Sequence, residues 1–340
     1  MKKNAVLSLA VLVFLMVLAP AFVLAGAGQT KLTYSIFFPP AHGQAEVGTA
    51  WAKEIEKRSG GRVAINVFAG GTLTPAPEVY DGVVNGISDI GMSCFAYTRG
   101  RFPIMEALDL PMGYSSGKVA TLVANEYYKV MRPESLNEVK VLYLHAHGPG
   151  LLHTKKPVGK MEDLKGMKIR STGFSAKVAE ALGAAPVAMP QGETYEALQK
   201  GVVDGTFTPI ETLKGWKQAE VVKYTTDCPD IGYTTAMFVV MNLDKWNALP
   251  DDLKKIFDEV SSEWIAKHGE AWDSLDKDGK EYALSLNNEI IALSPAENLR
   301  WVDAVAPVID GFIKSTTEKG LPGEKAIAEI RRLLGEYGKN

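Results

Sequence analysis

Cysteine is nearly missing from this 340-residue chain, which carries only Cys94 and Cys228. Two cysteines in so long a chain exclude a disulfide scaffold, and they read as two buried thiols. The five histidines, His42, His145, His147, His153 and His268, show no spacing beside them that would converge three or four ligands on zinc. A surplus of basic charge is missing too: Lys and Arg number 37 against 40 Asp and Glu. With no basic excess to neutralise phosphates, nucleic acid is not expected as a partner. A mean hydropathy of −0.02 excludes a polytopic membrane protein. Catalytic signatures are also lacking. There is no G-x-S-x-G elbow for a serine nucleophile, no H-E-x-x-H for zinc and no G-x-x-x-x-G-K-[ST] for a nucleotide. Gly148-Pro149-Gly150 is no dinucleotide loop, because no helix with a third Gly follows it. An enzyme is therefore not expected, and no cofactor is implied.

What is present begins with an address. Lys2 and Lys3 precede an apolar run from Ala5 to Ala19 broken only by Ser8, and Pro20 is followed by Ala21-Phe22-Val23-Leu24-Ala25-Gly26-Ala27. A basic start, a short apolar stretch and a small-x-small end make a secretory signal over residues 1–27. The run falls short of the about 20 residues that span a bilayer comfortably. Cleavage after Ala25 and after Ala27 both satisfy the small-residue rule. No Cys follows to take a lipid anchor. Removing Lys2 and Lys3 leaves 35 basic against 40 acidic residues in the mature chain. Export to the periplasm is the expectation.

The mature chain reads as alternating strands and helices. Lys31–Phe38 alternates as a strand ending at Pro39-Pro40, Gly43–Arg58 is helical with Val47, Trp51 and Ile55 every fourth residue, and Arg62–Phe68 is a second strand. Strand, helix, strand is a βαβ unit, which implies a parallel sheet with helices on its faces. Glu78–Asn85 (helix), Ile90–Cys94, Val139–His145 and Lys165–Arg170 (strands) and Ser175–Leu182 (helix) continue the pattern. Tyr80 to Asp89 and Tyr195 to Asp204 share Tyr, Gly and Asp at the same spacing, each reading as a helix ended by a left-handed Gly before a short strand. One unit used twice suggests two similar α/β lobes, and ligands favour the cleft between such lobes. From Pro250 to about Asn287 runs a long helical stripe, with an interruption possible near Gly269. Ala296–Lys314 and Gly323–Tyr337 are further amphipathic helices joined by a polar linker.

One segment is suited to an anion. Gly166-Met167-Lys168-Ile169-Arg170 is a strand ending in Arg, followed by Ser171-Thr172-Gly173-Phe174-Ser175 and a helix. Arg170 at a strand's carboxyl end projects toward the cleft edge. There its guanidinium can hold a carboxylate by two parallel hydrogen bonds.

Glu162 to Arg170, then Gly183-Ala184-Ala185-Pro186-Val187, and above all Tyr195 to Gly205, resemble the solute receptors of tripartite ATP-independent periplasmic (TRAP) transporters of the DctP-like class. The resemblance covers the whole mature chain. It implies a two-lobed periplasmic binding protein fold with hinge strands and a lobe-spanning helix. Lobe I would comprise residues 28–147 plus about 235–273, and lobe II residues 148–234 plus about 274–340. It further implies a monomeric receptor that captures an organic acid and delivers it to TRAP membrane subunits, with Arg170 as the carboxylate anchor. Relatives that hold a cation carry Glu-Trp where this chain has Phe207-Thr208-Pro209, so no metal is expected. Sialate-type relatives place a second Arg where this chain has Gly148-Pro149-Gly150.

The remaining candidates are mostly aromatic: Phe37 and Phe38 after the first strand, Phe95, Phe207, Trp216 and Tyr233 at strand ends and turns. Several flat side chains facing one cleft favour a monocarboxylate with an aromatic or indole-like body, its polar groups taken by Gln191, Thr208 and Glu211. Two rivals stay open. A C4-dicarboxylate receptor needs a second cation, for which Lys214, His147 or His153 are available. An exported enzyme on a carboxylated substrate would draw on Glu193, Asp204, Glu211 or Cys94. A sensor subunit would share the binding physics of a transport receptor.

Overall fold

The computed structural model describes residues 29–338, so the secretory signal lies outside the described residues. The strands, in chain order, are β1 Thr30–Ile36, β2 Val63–Ala69, β3 Ile90–Cys94, β4 Val139–Ala146, β5 Gly150–Thr154, β6 Lys168–Ser171, β7 Ala185–Ala188, β8 Gly205–Pro209, β9 Tyr224–Asp227, β10 Ala236–Asn242 and β11 Glu289–Ala292. The helices are α1 Gly43–Arg58, α2 Val79–Val84, α3 Gly117–Met131, α4 Ser175–Ala181, α5 Gln191–Gln199, α6 Thr212–Gly215, α7 Leu243–Ala248, α8 Asp251–Ser285, α9 Pro295–Val305, α10 Pro307–Glu318 and α11 Gly323–Tyr337.

The strands form two sheets, ordered β2-β1-β3-β10-β4 and β11-β9-β5-β8-β6-β7. In the first, β2, β1 and β3 run parallel, as the βαβ pattern predicts, and β10 pairs antiparallel with both β3 and β4. In the second, β6 pairs parallel with β7 and β8, while β5 is antiparallel to β8 and β9. The chain crosses between sheets at His147–Pro149 and again between β9 and β10, which gives the two-lobed α/β fold its hinge. Gly150 has a steric reason at the first crossing. A Cβ there would lie 2.0 Å from the Tyr233 ring, and the Gly150 amide donates to the Tyr233 carbonyl at 2.9 Å.

The repeated motif is repeated in three dimensions. Gly86 and Gly201 hold left-handed φ angles of 73° and 74° after α2 and α5. Asp89 then accepts the amide of Thr33 in β1 at 2.8 Å, and Asp204 accepts that of Lys168 in β6 at 2.8 Å. Each aspartate ties a helix–turn to the neighbouring parallel strand, so the shared spacing encodes one local solution used in both lobes.

Helix α8 runs unbroken for 35 residues, about 52 Å at 1.5 Å per residue, and touches α1, α3 and α6. The break considered at Gly269 does not occur. Instead the missing side chain lets α8 approach α3, where a Cβ would sit 3.0 Å from Lys118 Cα. The helix read over Ala296–Lys314 is divided at Pro307, whose ring removes an amide donor and starts α10. Across that break the chain changes partners. Trp301 and Val305 of α9 lie in the core of the second sheet, whereas Phe312 of α10 and Ala326, Ile327, Ile330 and Leu333 of α11 join Val119, Val123 and Tyr127 of α3. The tail from 307 onward therefore packs on the first sheet's core, a correction to the assignment of 274–340 to lobe II. The apolar stripe of α11 is matched to α3, and burial of that stripe decides where the tail goes.

Candidate functional site

Arg170 is the third residue of β6, paired in register with Val187 of β7 and Thr206 of β8. Parallel strands end at the cleft, and its side chain is only 4% exposed. Its Nε and Nη2 donate to the Met189 carbonyl at 3.1 and 2.9 Å. A guanidinium has five N–H donors, so three are left without a protein acceptor among the described residues. No carboxylate there comes within ion-pairing distance of it. A buried, unneutralised cation is costly, and an anion that reaches it recovers that cost.

The Met189 carbonyl leads through Pro190 into α5, whose first residue is Gln191. The Gln191 amide donates to the Tyr97 hydroxyl at 3.1 Å, while its side-chain Nε2 is buried without a partner. Burial pushes the Tyr97 phenol up, so it stays neutral. Arg170 and Gln191 thus present free donors from one neighbourhood. Both line one cavity, shared with Thr208, Glu211, Phe207, Trp216 and Tyr233 from the second sheet's side and Phe38 from the first.

Its walls are largely aromatic. The Phe37 and Phe38 rings lie 4.0 Å apart, Phe38 stacks on the His42 imidazole at 4.5 Å, and Trp216 lies 6.0 Å from Phe38. Tyr233 meets Phe207 edge-on at 6.2 Å. At another point the wall is polar. Thr208 and Thr212 hydroxyls are 3.0 Å apart, and Glu211 Oε2 receives the His42 Nε2–H at 2.9 Å. The His42 tautomer follows from its other nitrogen: Nδ1 accepts the Gln44 amide at 3.1 Å, so the proton sits on Nε2. Behind Glu211, Asp276 of α8 accepts the Glu211 amide at 3.2 Å, and its carboxyl is pushed up to about 8 by burial and by the Glu211 charge.

Nine of the ten residues expected at the site line this cavity: Arg170, Thr208, Gln191, Phe37, Phe38, Glu211, Phe207, Tyr233 and Trp216. Phe95 does not. Side chains alternate along an extended chain, so Cys94 faces the cavity and Phe95 turns the other way, where it packs 5.2 Å from both Phe102 and Phe238. Tyr97, Trp272, Thr235 and Met237 also line the cavity and were not anticipated. Trp272 continues the α8 stripe eight residues beyond Trp264, so extending that stripe would have found it.

The groups that rival readings would need lie differently. Lys214 is on the surface with Asp278 at 2.8 Å. His153 is buried in the second sheet between the Thr225 hydroxyl and the Thr208 carbonyl, and burial pushes it down to about 4. His147 lines the cavity with its Nδ1 bonded to the Gly148 carbonyl, likewise pushed down to about 4 by burial and so neutral. Arg170 is the one charged cation among the described lining residues. Asp204 is occupied with Lys168, and Glu193 is exposed outside the cavity. Cys94 and Cys228 are both free and buried, and burial pushes both thiols up. Among the described residues no group of three or more His, Cys, Asp and Glu is arranged to hold a metal.

Comparison with known proteins adds independent findings. The model of bacterial extracellular solute-binding protein family 7 (DctP) matches residues 35–316. A TRAP periplasmic solute binding protein from Desulfovibrio salexigens, solved as an open complex, is 33% identical, with 91% of this chain and 97% of that one covered and a TM-score of 0.80. A TRAP solute binding protein from Rhodoferax ferrireducens, in complex with copurified benzoate, is 29% identical over 92% of this chain and 99% of its own, with a TM-score of 0.86. A marine metagenome TRAP solute binding protein specific for aromatic acid ligands, in complex with 3-hydroxybenzoate, is 29% identical over the same shares, with a TM-score of 0.87.

Proposed function

The chain belongs to family 7 of the bacterial extracellular solute-binding proteins, among the TRAP receptors, and from that premise we propose that its cleft captures an aryl monocarboxylate through Arg170. It is a binding receptor rather than an enzyme. The observation that carries the ligand reading is the buried Arg170, with three free N–H groups and no acid partner, in a cavity walled by Phe37, Phe38, Tyr97, Trp216 and Tyr233. A carboxylate satisfies the guanidinium and the free Gln191 Nε2, while a flat apolar body lies against the rings. Aromatic-acid complexes of similar proteins support the same reading. A dicarboxylate would need a second cation, and the described lining residues supply Arg170 alone.

Residues from both lobes line the cavity, so ligand contacts on the two sides favour the closed form over the open one. Residues 1–27 would direct export to the periplasm, where the closed monomer would hand its cargo to TRAP membrane subunits. The test is a thermal-shift screen of the mature protein with benzoate, phenylacetate, mandelate, succinate and malate. A ligand at 100 times its Kd adds about 2.7 kcal/mol of stability. Aryl acids should raise Tm and the C4 acids should not. Succinate or malate giving the larger shift would overturn the proposal.

A further inference from the structure

Glu211 is a buried carboxylate in a cavity whose expected ligand is itself an anion, and no purely structural role accounts for both of its oxygens. Oε2 is occupied: it receives the Nε2–H of a neutral His42 at 2.9 Å. Oε1 accepts nothing from the described residues, although the residue is only 2% exposed. Arg170 does not neutralise it, because no acid lies within ion-pairing distance of that guanidinium among the described residues. Among the described lining residues the cavity therefore holds one free cation with spare donors and one carboxylate, Glu211, whose Oε1 has spare acceptor capacity and which also borders the adjoining pocket lined by His42 and Lys214.

Resting on the aryl-monocarboxylate reading, we infer that Glu211 is the specificity-determining residue of this site. It accepts a hydrogen bond from a hydroxyl or amino group on the ligand's ring and rejects a second carboxylate. The ligand class narrows to hydroxy- or amino-substituted aryl monocarboxylates. A charged acceptor in a desolvated wall makes a strong hydrogen bond to a ring donor, and it is left unpaired by a ligand lacking one. A second carboxylate placed there would meet a like charge without solvent to screen it. His42 begins α1 on the first lobe and Glu211 follows β8 on the second, so their bond spans the cleft. The acceptor is consequently fixed in place only when the lobes are together, and the ring donor is read at closure.

Titration calorimetry of the mature protein with benzoate, the three hydroxybenzoate isomers and isophthalate tests this without any variant. At least one hydroxybenzoate should bind tenfold or more tightly than benzoate, and isophthalate should bind at least tenfold more weakly. Glu211→Gln keeps an oxygen for His42 and puts an amide N–H₂ where Oε1 was. It should shrink the hydroxyl advantage below about threefold and strengthen isophthalate binding at least tenfold. Benzoate binding as well as all three isomers, or isophthalate matching it, would overturn the assignment of Glu211 and leave the aryl-acid reading standing. Failure of every aryl acid to bind would overturn both.

Discussion

The two lobes meet at the cavity with unlike surfaces. The first contributes Phe37, Phe38, Tyr97 and, through α8, Trp272, with a neutral His147; the second contributes Arg170, Gln191, Thr208 and Glu211 alongside Phe207 and Trp216. One side supplies shape and apolar area. The other supplies charge and directional hydrogen bonds. Apolar contact is non-directional and tolerant of position, whereas a buried charge is worth most with its partner correctly aligned. The division of labour predicts that changes on the polar side act on which ligand binds and changes on the aromatic side act on how tightly any aryl acid binds.

The largest effect should come from removing the polar anchor. Arg170→Ala should fold, because Arg170 bonds only the Met189 carbonyl, yet it leaves the ligand carboxylate buried and unpaired. Affinity for benzoate-type ligands should fall by about 3 kcal/mol or more, over a hundredfold, as read by calorimetry. Arg170→Lys should recover little, since an ammonium cannot reproduce the fork. Unchanged affinity in Arg170→Ala would erase the contrast between the walls.

Next in size is the hinge between them. Gly150→Ala would place a methyl 2.0 Å from the ring of Tyr233, which is 1% exposed and whose carbonyl is bonded to the Gly150 amide. A loss of about 1–3 kcal/mol in stability is expected from such overpacking, measured by denaturant unfolding. A neutral result would mean that the crossing relaxes freely. Smaller still, Phe37→Ala should weaken all aryl acids alike by about 1 kcal/mol while leaving their order unchanged. A change of order would show that the aromatic side also selects.

The contrast also explains what the sequence revealed. Arg170 stands at the end of a short β-run before a turn and a helix, a local pattern that marks a strand end, and the resemblance of the surrounding motif is what marks it as a carboxylate anchor. The repeated Tyr, Gly and Asp spacing marked the two lobes because each Asp does a local job, capping a neighbouring strand. Phe95 shows the opposite case. One step along the chain separates Cys94, at the cavity, from Phe95, in the core, and composition does not tell the two faces apart. The His42–Glu211 bond joins residues 169 apart and follows from no spacing. The tail helices were misassigned for a related reason: the α11 stripe says that it must be buried but not against what.

The smallest prediction concerns what lies behind each wall. On the aromatic side is His147 and behind it His268, pushed down by burial to about 4 and about 3, with His145 pushed well below its usual value by burial and neighbouring histidines. A histidine with a depressed native pKa contributes stability that is fully present above about 6.5 and lost as pH falls toward 4, because the unfolded chain takes up the proton first. Behind the polar side is Asp276, pushed up to about 8. For this acid the native state binds the proton and the unfolded state does not between about 4 and 8, so its contribution falls as pH rises through that window. Below about 6.5 the histidines oppose this acid, and above it Asp276 acts without them, as do Glu106 and Asp109, which burial also raises, so ligand-free stability falls as pH rises above about 6.5. Asp276→Asn keeps an oxygen for the Glu211 amide and removes the ionisation. Its Tm should exceed the parent's more at pH 8 than at pH 5, with the difference growing by at most about 1.4 kcal/mol per pH unit. A calorimetric Tm gap that is flat across that range would show that Asp276 does not hold its proton in the native state.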